Sequence, residues 1–547
     1  MNNRPIISVV LNMHVPFVHP SGPPWSIEDS SFFEALSGTY LPLLGALDRL
    51  DADHVPFRLA LCLSPPLCHM LSDESLIQQY VEFTDRQIEF GLREIERTEG
   101  DPAMQRLSRF FYDQAVDKRI LFTERYEGKL LKIFDYYQKK GKVELLTTAA
   151  TYGFLPFYVG YAEAVQAQLE VARASHHRFF GINPQGFWLP ELGWHDELDG
   201  QIRSYGFSYT IVDSHGLFLG TPSPARGSFY PAKTPSGVLL LSRDHYAVRD
   251  LAERETGFPF DPLYQDYRED VGYELPTDMI RPFLGPGGVR TRTGFKYRCR
   301  GNPEGSPNPG DSSNPQSSAA AAKPLYDPEA AQEKVREHAR IFLENRIARF
   351  KKVEEYMEGT AISLCAYDAD AFGRCWYEGP RFIEALFREG ARKEEIQFMN
   401  PAEYLYKQPP ISYSTVVPEF SSWGVNGYAE MWLDAANDWI YRHVIRSLER
   451  MIELAERFVD DTGLKERALN QAAREILLAQ ASDWAKMLYK GESPEYARNQ
   501  IEGALRNFTT IYESLGSNYI STEWLTNLER QHNIFPAINY RVFRRKH

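Results

Sequence analysis

Seven short, almost unbroken apolar runs constrain this chain most: IISVVLNMH, FRLALCLS, KVELLTTA, GFWLPE, YTIVDS, VLLLSRD and AISLCAYD. Each has strand length and is rich in aliphatic or β-branched residues, and helical or insert-sized segments separate them. That alternation implies βα units and a parallel sheet. Continuous apolarity, rather than strict alternation, says that each strand is covered on both faces. A closed barrel and an open doubly wound sheet both satisfy the pattern, and the run ends favour the barrel. His14, Glu191, Asp213, the pair Arg243 and Asp244, and Asp368 stand at or near the C-terminal ends of five runs. Barrel enzymes place their chemistry there, whereas an open sheet gathers it at one switch point. Polar residues also simply resume where strands end, so no single position decides.

The spacing of the runs is uneven. A catalytic barrel is expected over 1–400, interrupted at about 65–140 by charge-rich helices and at about 218–345 by an insert rich in Tyr and Phe. Within that insert, 301–322 (GNPEGSPNPGDSSNPQSSAAAA) holds no aromatic residue and is expected to be a flexible loop. Such a composition cannot offset its ordering entropy by burial. Over 401–547 the strand signals fade, and segments such as AEMWLDAANDWIYRHVIRSLERMIELAERF carry apolar positions three to four residues apart. These are amphipathic helices, so a C-terminal all-helical domain is expected.

Charge and cysteine usage narrow the function. With 61 basic against 74 acidic residues, the net charge of −13 argues against nucleic acid, whose binding draws on Lys and Arg. No apolar run reaches the length of a membrane span, and the N-terminus lacks the pattern of a signal peptide. Five cysteines, odd in number and without a CxxC pair, fit reduced thiols in a cytoplasm better than disulfides or structural zinc. The expected location is therefore cytoplasmic. Aromatic residues make up 13% of the chain; a large core accounts for them, and so does a carbohydrate cleft.

Two carboxylates stand out. Glu191 lies in GFWLPELGW, with Trp188, Pro190 and Trp194 around it, where a carboxylate is costly unless it is paired. Asp368, in LCAYDADAFGRCWYEG, is delivered by another apolar run. Two carboxylates from separate strands are the minimum for glycoside chemistry, one acting as nucleophile and the other as acid and base. Both could equally be helix caps or ion-paired core residues.

At these residues the chain resembles glycoside hydrolase family 57, in particular its 1,4-α-glucan branching enzymes and amylase-like relatives. Five regions carry the resemblance: MHVPF (13–17), ELLTTAATYGFLP (144–156), GFWLPELGW, YDADAFGRCWYEG (367–379) and SSWGVNGYAEMWL (421–433). The resemblance implies an α/β fold, a (β/α)7 TIM-like barrel with helical insertions, and a retaining double displacement on an α-glucan. It implies neither a metal nor an organic cofactor. By position in the motifs, Glu191 is the nucleophile and Asp368 the acid/base. His14, Trp188, Asp213, Arg243, Asp244, Trp376, Trp423 and Trp432 are then substrate-binding residues. The loop GTPSPARGSFYPAKTPSG (220–237) becomes a lid, with Tyr230 closing over the intermediate. The chain departs from the family pattern at Leu192, Asp370, Arg374, Cys375 and Ala252, positions that bear on sugar subsites.

A branching enzyme is the expected function, with a hydrolysing α-amylase next and a non-catalytic glucan-binding relative third. A different class, a metal-dependent deacetylase-like hydrolase, would draw on His14, Asp213, His215 and Asp368, but no HxxxH pair lies near them. Nothing in the sequence fixes an oligomeric state.

Overall fold

The computed structural model describes residues 4–253, 256–301, 323–356, 359–408 and 413–546. All seven apolar runs are strands: β1 (Ile6–Met13), β2 (Leu59–Leu63), β3 (Val143–Thr148), β4 (Gly186–Trp188), β5 (Tyr209–Val212), β6 (Leu239–Ser242) and β7 (Ile362–Asp368). Neighbours pair in parallel from β1 through β6, and β7 lies along the other edge of β1 with Asn12 opposite Asp368. The ring is completed between β6 and β7, where Arg243 bridges Leu364 in parallel and the Asp244 amide donates to the Leu364 carbonyl at 2.8 Å. Every residue of β1 and β2 is buried, as their continuous apolarity requires. Gly186 opens β4 because the Tyr209 ring occupies the space a Cβ would take, 2.3 Å away.

The insertion between β2 and β3 is helical. Its main pair, Glu74–Arg97 and Pro102–Ile120, begins at Asp73 and Asp101, whose carboxylates accept first-turn amides. Residues 256–301 form short turns whose rings Phe283, Phe295 and Tyr297 pack against Phe90 and Phe111 of that pair. Helix Pro328–Val353, capped by Asp327, returns the chain to β7. Of the loop expected at 301–322, all but Gly301 lies outside the described residues.

The chain stays on the barrel past position 401. Helix Pro401–Lys407 stays on the barrel, its Ala402 amide donating to Glu144 of β3 at 2.9 Å. Strand Ser414–Thr415 then pairs with Ala232–Lys233, which is itself antiparallel to β6. Backbone pairing thus holds the chain to the barrel well past 401. The helical region proper begins with Trp439–Arg457 and continues through Leu464–Ala479, Ser482–Lys490, Pro494–Ser517 and Thr522–Gln531. In the first of these, Ile440, Val444, Leu448, Met451 and Ala455 form the buried stripe. No described helix is long and apolar enough to cross a membrane.

Candidate active site

The C-terminal rim of the barrel carries the site. After β4 the chain turns sharply through Pro190–Leu192, and Glu191 and Leu192 both take left-handed backbone angles, φ 57° and 50°. Such angles cost of order 1–2 kcal/mol at a non-glycine residue, so the surroundings must hold them. They do: the Glu191 carbonyl accepts from the Trp423 amide at 2.9 Å, and the Leu192 amide donates to the Leu189 carbonyl at 2.9 Å. The turn aims the Glu191 carboxylate inward, where it is 1% exposed.

Its partners come from outside the barrel. Trp423 donates its indole N–H to Oε2, Ser482 Oγ donates to Oε1 at 3.3 Å, and the Lys486 ammonium stands 3.8 Å from Oε1. Burial raises the carboxyl above the usual range; Lys486 and the Trp423 bond oppose that, while Asp368 and Asp483 add to it. Lys486 is held above an ordinary lysine although burial works against its charge, because Glu191, Asp368, Asp483 and Asp370 surround it.

Asp368 ends β7 and accepts from Asn12 Nδ2 at 2.8 Å. The same amide nitrogen donates to the Tyr152 hydroxyl at 2.8 Å, and that oxygen also accepts from Trp188 Nε1 at 3.3 Å. Asn12, Tyr152 and Trp188 therefore link the two carboxylates' strands through one polar chain. His14 stacks on Tyr152 with centroids 3.9 Å apart; its Nδ1 lies 2.9 Å from Ser64 Oγ and its Nε2 3.0 Å from Asp483 Oδ2.

A cleft of about 690 Å³ opens over Asp368, lined also by Asp213, Arg243, Trp423, Trp432 and Lys486. Arg243 spans it, with Nε on the Ala366 carbonyl at 2.9 Å, Nη1 on Asp213 at 3.2 Å and its plane over the Trp423 ring at 5.2 Å. Asp213 is held below the usual range: burial pushes it up, but His215 and Arg243 outweigh that. Trp432 reaches the cleft while stacked on Phe154, 5.3 Å between centroids. Ala252 lines the same cleft, at one of the positions where this chain departs from the family pattern.

Three expected residues lie elsewhere. Asp244 is a structural group, capping helix His245–Ala252 through the amides of Tyr246 and Ala247, accepting from Ser363 and facing Arg346 at 3.6 Å. Trp376 is 1% exposed in a core cluster with Tyr264, Phe372 and Phe382. Tyr230 is 3% exposed against Tyr413 and the backbone at Gly359, before the start of β7. Asp368 is at the other end of that seven-residue strand, roughly 20 Å away at the usual rise. Ala232–Lys233 pairs antiparallel with the start of β6, which holds the end of the 220–237 segment, Tyr230 included, toward the N-terminal end of the barrel. Tyr230→Ala is therefore expected to lower the melting temperature by several degrees, through loss of a buried ring worth about 3–5 kcal/mol, while leaving kcat within about twofold; a loss on the order of a hundredfold, the size lid residues give, would return the ring to the active site.

Asn12, Ser64, Tyr152, Ser482, Asp483 and Lys486 escaped the sequence reading. Only the last three left a usable trace: in SDWAK, positions 482, 483 and 486 share one face of a helix. Among the described residues no three His, Cys, Asp or Glu side chains group as a metal site. His14 spends both ring nitrogens on Ser64 and Asp483, and Asp213 faces a guanidinium, so the donors of a metal-dependent hydrolase are not assembled here.

A parallel barrel with two carboxylates converging at its C-terminal rim defines a class, the carboxylate-pair glycosidases and transglycosidases. The chain belongs to glycosyl hydrolase family 57, whose model matches residues 8–279. A second model, the C-terminal region of 1,4-alpha-glucan branching enzymes, matches 443–543. The 1,4-alpha-glucan branching enzyme TK1436 of Thermococcus kodakarensis is 27% identical, covering 97% of this chain and 77% of its own. Among solved structures, the alpha-amylase AmyC of Thermotoga maritima is 32% identical over the whole of both chains, with a TM-score of 0.90. The GH57-type branching enzyme of Pyrococcus horikoshii is 24% identical, covers 99% and 97% of the two chains, and has a TM-score of 0.86.

Proposed function

We propose that this protein is a retaining α-glucan enzyme, a 1,4-α-glucan branching enzyme, with Glu191 as nucleophile and Asp368 as acid/base. The observation that carries the reading is the convergence of these two residues at one rim, where Asn12 holds the Asp368 carboxylate and also reaches Tyr152, whose hydroxyl accepts from the Glu191 amide, with Lys486 and Trp423 held on the Glu191 carboxylate. Protonated Asp368 gives its proton to the leaving glycosidic oxygen as Glu191 bonds to the anomeric carbon. The ionised Asp368 then takes the proton of an incoming 6-hydroxyl, and that oxygen displaces Glu191 with the configuration retained. Lys486 keeps Glu191 anionic inside its apolar pocket. Asp213 and Arg243 face the sugar hydroxyls, and the Trp423 and Trp432 rings face the cleft. The branching-type match over 443–543 and the match to TK1436 over 97% of this chain support transfer over hydrolysis. Four of the five cysteines are buried free thiols, which supports a reducing, cytoplasmic setting.

Hydrolysis is the second reading; the 32% identity to the alpha-amylase AmyC over the whole of both chains favours it, and so does one feature of the site. With Tyr230 toward the far end of the barrel, that ring does not cover the cleft, which leaves water access beside an acceptor chain. Incubating the protein with amylose and following reducing ends and α-1,6 linkages in the same sample separates the two. Branch points forming with few new reducing ends are expected. Reducing ends rising without branches would make it an amylase, and neither changing would remove the catalytic reading.

A further inference from the structure

A second cavity lies outside the catalytic cleft, between the helical insertion and the segment after β7. It measures about 100 Å³, room for several waters or one tetrahedral oxyanion, and its charged lining is Lys118, Arg292, Lys296, Arg374 and Glu34. Four cations thus face one carboxylate. That carboxylate is already engaged, 3.0 Å from Arg292 and 3.6 Å from Arg374. Arg374 also pairs with Asp370 at 3.2 Å. Asp270, the other acid near Lys296, accepts from the Gly272, Thr293 and Gly294 amides and the Thr293 hydroxyl. Lys118 and Lys296 form no ion pair within 4 Å among the described residues, although Asp270 and Glu34 offset part of the cost of burying Lys296. Two unpaired lysines side by side, in a protein of net charge −13, are costly unless an anion joins them. Lys118 shows that cost: burial, then Lys296 and Arg381, push its pKa down to about 8.

The small cavity does not stand alone. Gly38, Gln114, Lys118 and Tyr377 line it and also line a neighbouring cavity of about 810 Å³, whose wall is of mixed charge: Arg336 and Arg381 stand beside four acidic residues, Asp53, Asp117, Glu384 and Glu389. A volume of that order holds a sugar or larger ligand. We propose that these joined cavities form a binding site for a phosphate monoester of a sugar, the phosphate seated among Lys118, Lys296, Arg292 and Arg374 and the sugar extending into the larger space. Two sources share this chemistry, a free hexose phosphate and a phosphate carried on a glucan chain. Arg374 ties the site to the catalytic rim, since its partner Asp370 follows Asp368 by two residues.

Calorimetric titration of the full chain at low ionic strength tests the site without reference to turnover. Glucose 6-phosphate is expected to bind, inorganic phosphate to compete with it, and the Lys118→Met/Lys296→Met double variant to bind at least tenfold more weakly. If only a phosphorylated glucan, and not its phosphatase-treated form, shows lysine-dependent binding, the ligand is the polymer's phosphate. Equal affinity in wild type and double variant, or no binding of any phosphate monoester, would overturn the proposal. The double variant is expected to melt no lower than wild type, since it removes two unpaired like charges. Should it fail to fold, wild-type melting carries the test: glucose 6-phosphate and not glucose must raise it, and no rise overturns the site.

Discussion

Glu191→Gln is expected to lower turnover on amylose by on the order of 10⁴–10⁶-fold, the loss seen when a covalent nucleophile is removed. The amide keeps the shape and one acceptor but cannot bond to the anomeric carbon. Stability should move the opposite way. Burial holds the Glu191 carboxyl above its usual range, so in the folded protein its proton leaves later than in the unfolded chain. The folded state then binds more protons between the two pKa values, and stability falls as pH rises through that window. Glutamine escapes this penalty. The variant should therefore melt with wild type below about pH 4, where both forms are neutral, and above it at neutral pH. Activity assays beside melting curves at both pH values check this. Retained turnover would sink the nucleophile assignment, and a variant less stable at neutral pH would sink the account of the buried charge.

Lys486→Met should shift the acid limb of the pH profile of kcat/KM upward and reduce activity at pH values below that limb by about tenfold for each pKa unit the limb moves. Lys486 is the cation that most opposes the effect of burial on Glu191. Without it the carboxyl holds its proton to higher pH, and less of the enzyme carries an anionic nucleophile. Methionine preserves the packing of the aliphatic stem on helix Ser482–Lys490, so the fold should stand. Lys486→Arg should keep most of the wild-type profile. An acid limb that does not move in the methionine variant would show that Lys486 leaves the Glu191 carboxylate untouched. The prediction also bears on architecture, because the cation nearest this buried barrel carboxylate is supplied by the C-terminal helical region.

The strands and the two carboxylates were legible because their signals are local. An apolar run such as IISVVLNM can be satisfied only by burial on both faces, and Glu191 and Asp368 sit where such runs stop. The helical stripe from Ile440 to Ala455 was legible for the same reason. Tyr230, Trp376 and Asp244 show the limit of motif position as a guide. Each belongs to a segment whose neighbours resemble a sugar site, yet strand pairing sends Tyr230 to the far end of the barrel, ring packing takes Trp376 into the core, and a helix N-terminus claims Asp244.

What the sequence determined by itself was the set of buried parallel strands and a carboxylate where two of them stop, since apolar runs and a charge at a run's end are properties of neighbouring residues; it was the resemblance to the family that singled out Glu191 and Asp368 as a pair. What only the tertiary structure decided was which groups surround those carboxylates: Asn12 on Asp368, and Ser482, Asp483 and Lys486 brought to Glu191 from nearly 300 positions later. The field at a buried carboxylate depends on distances of a few ångströms and on the exclusion of water, and the chain order does not record which distant side chains folding will bring that close.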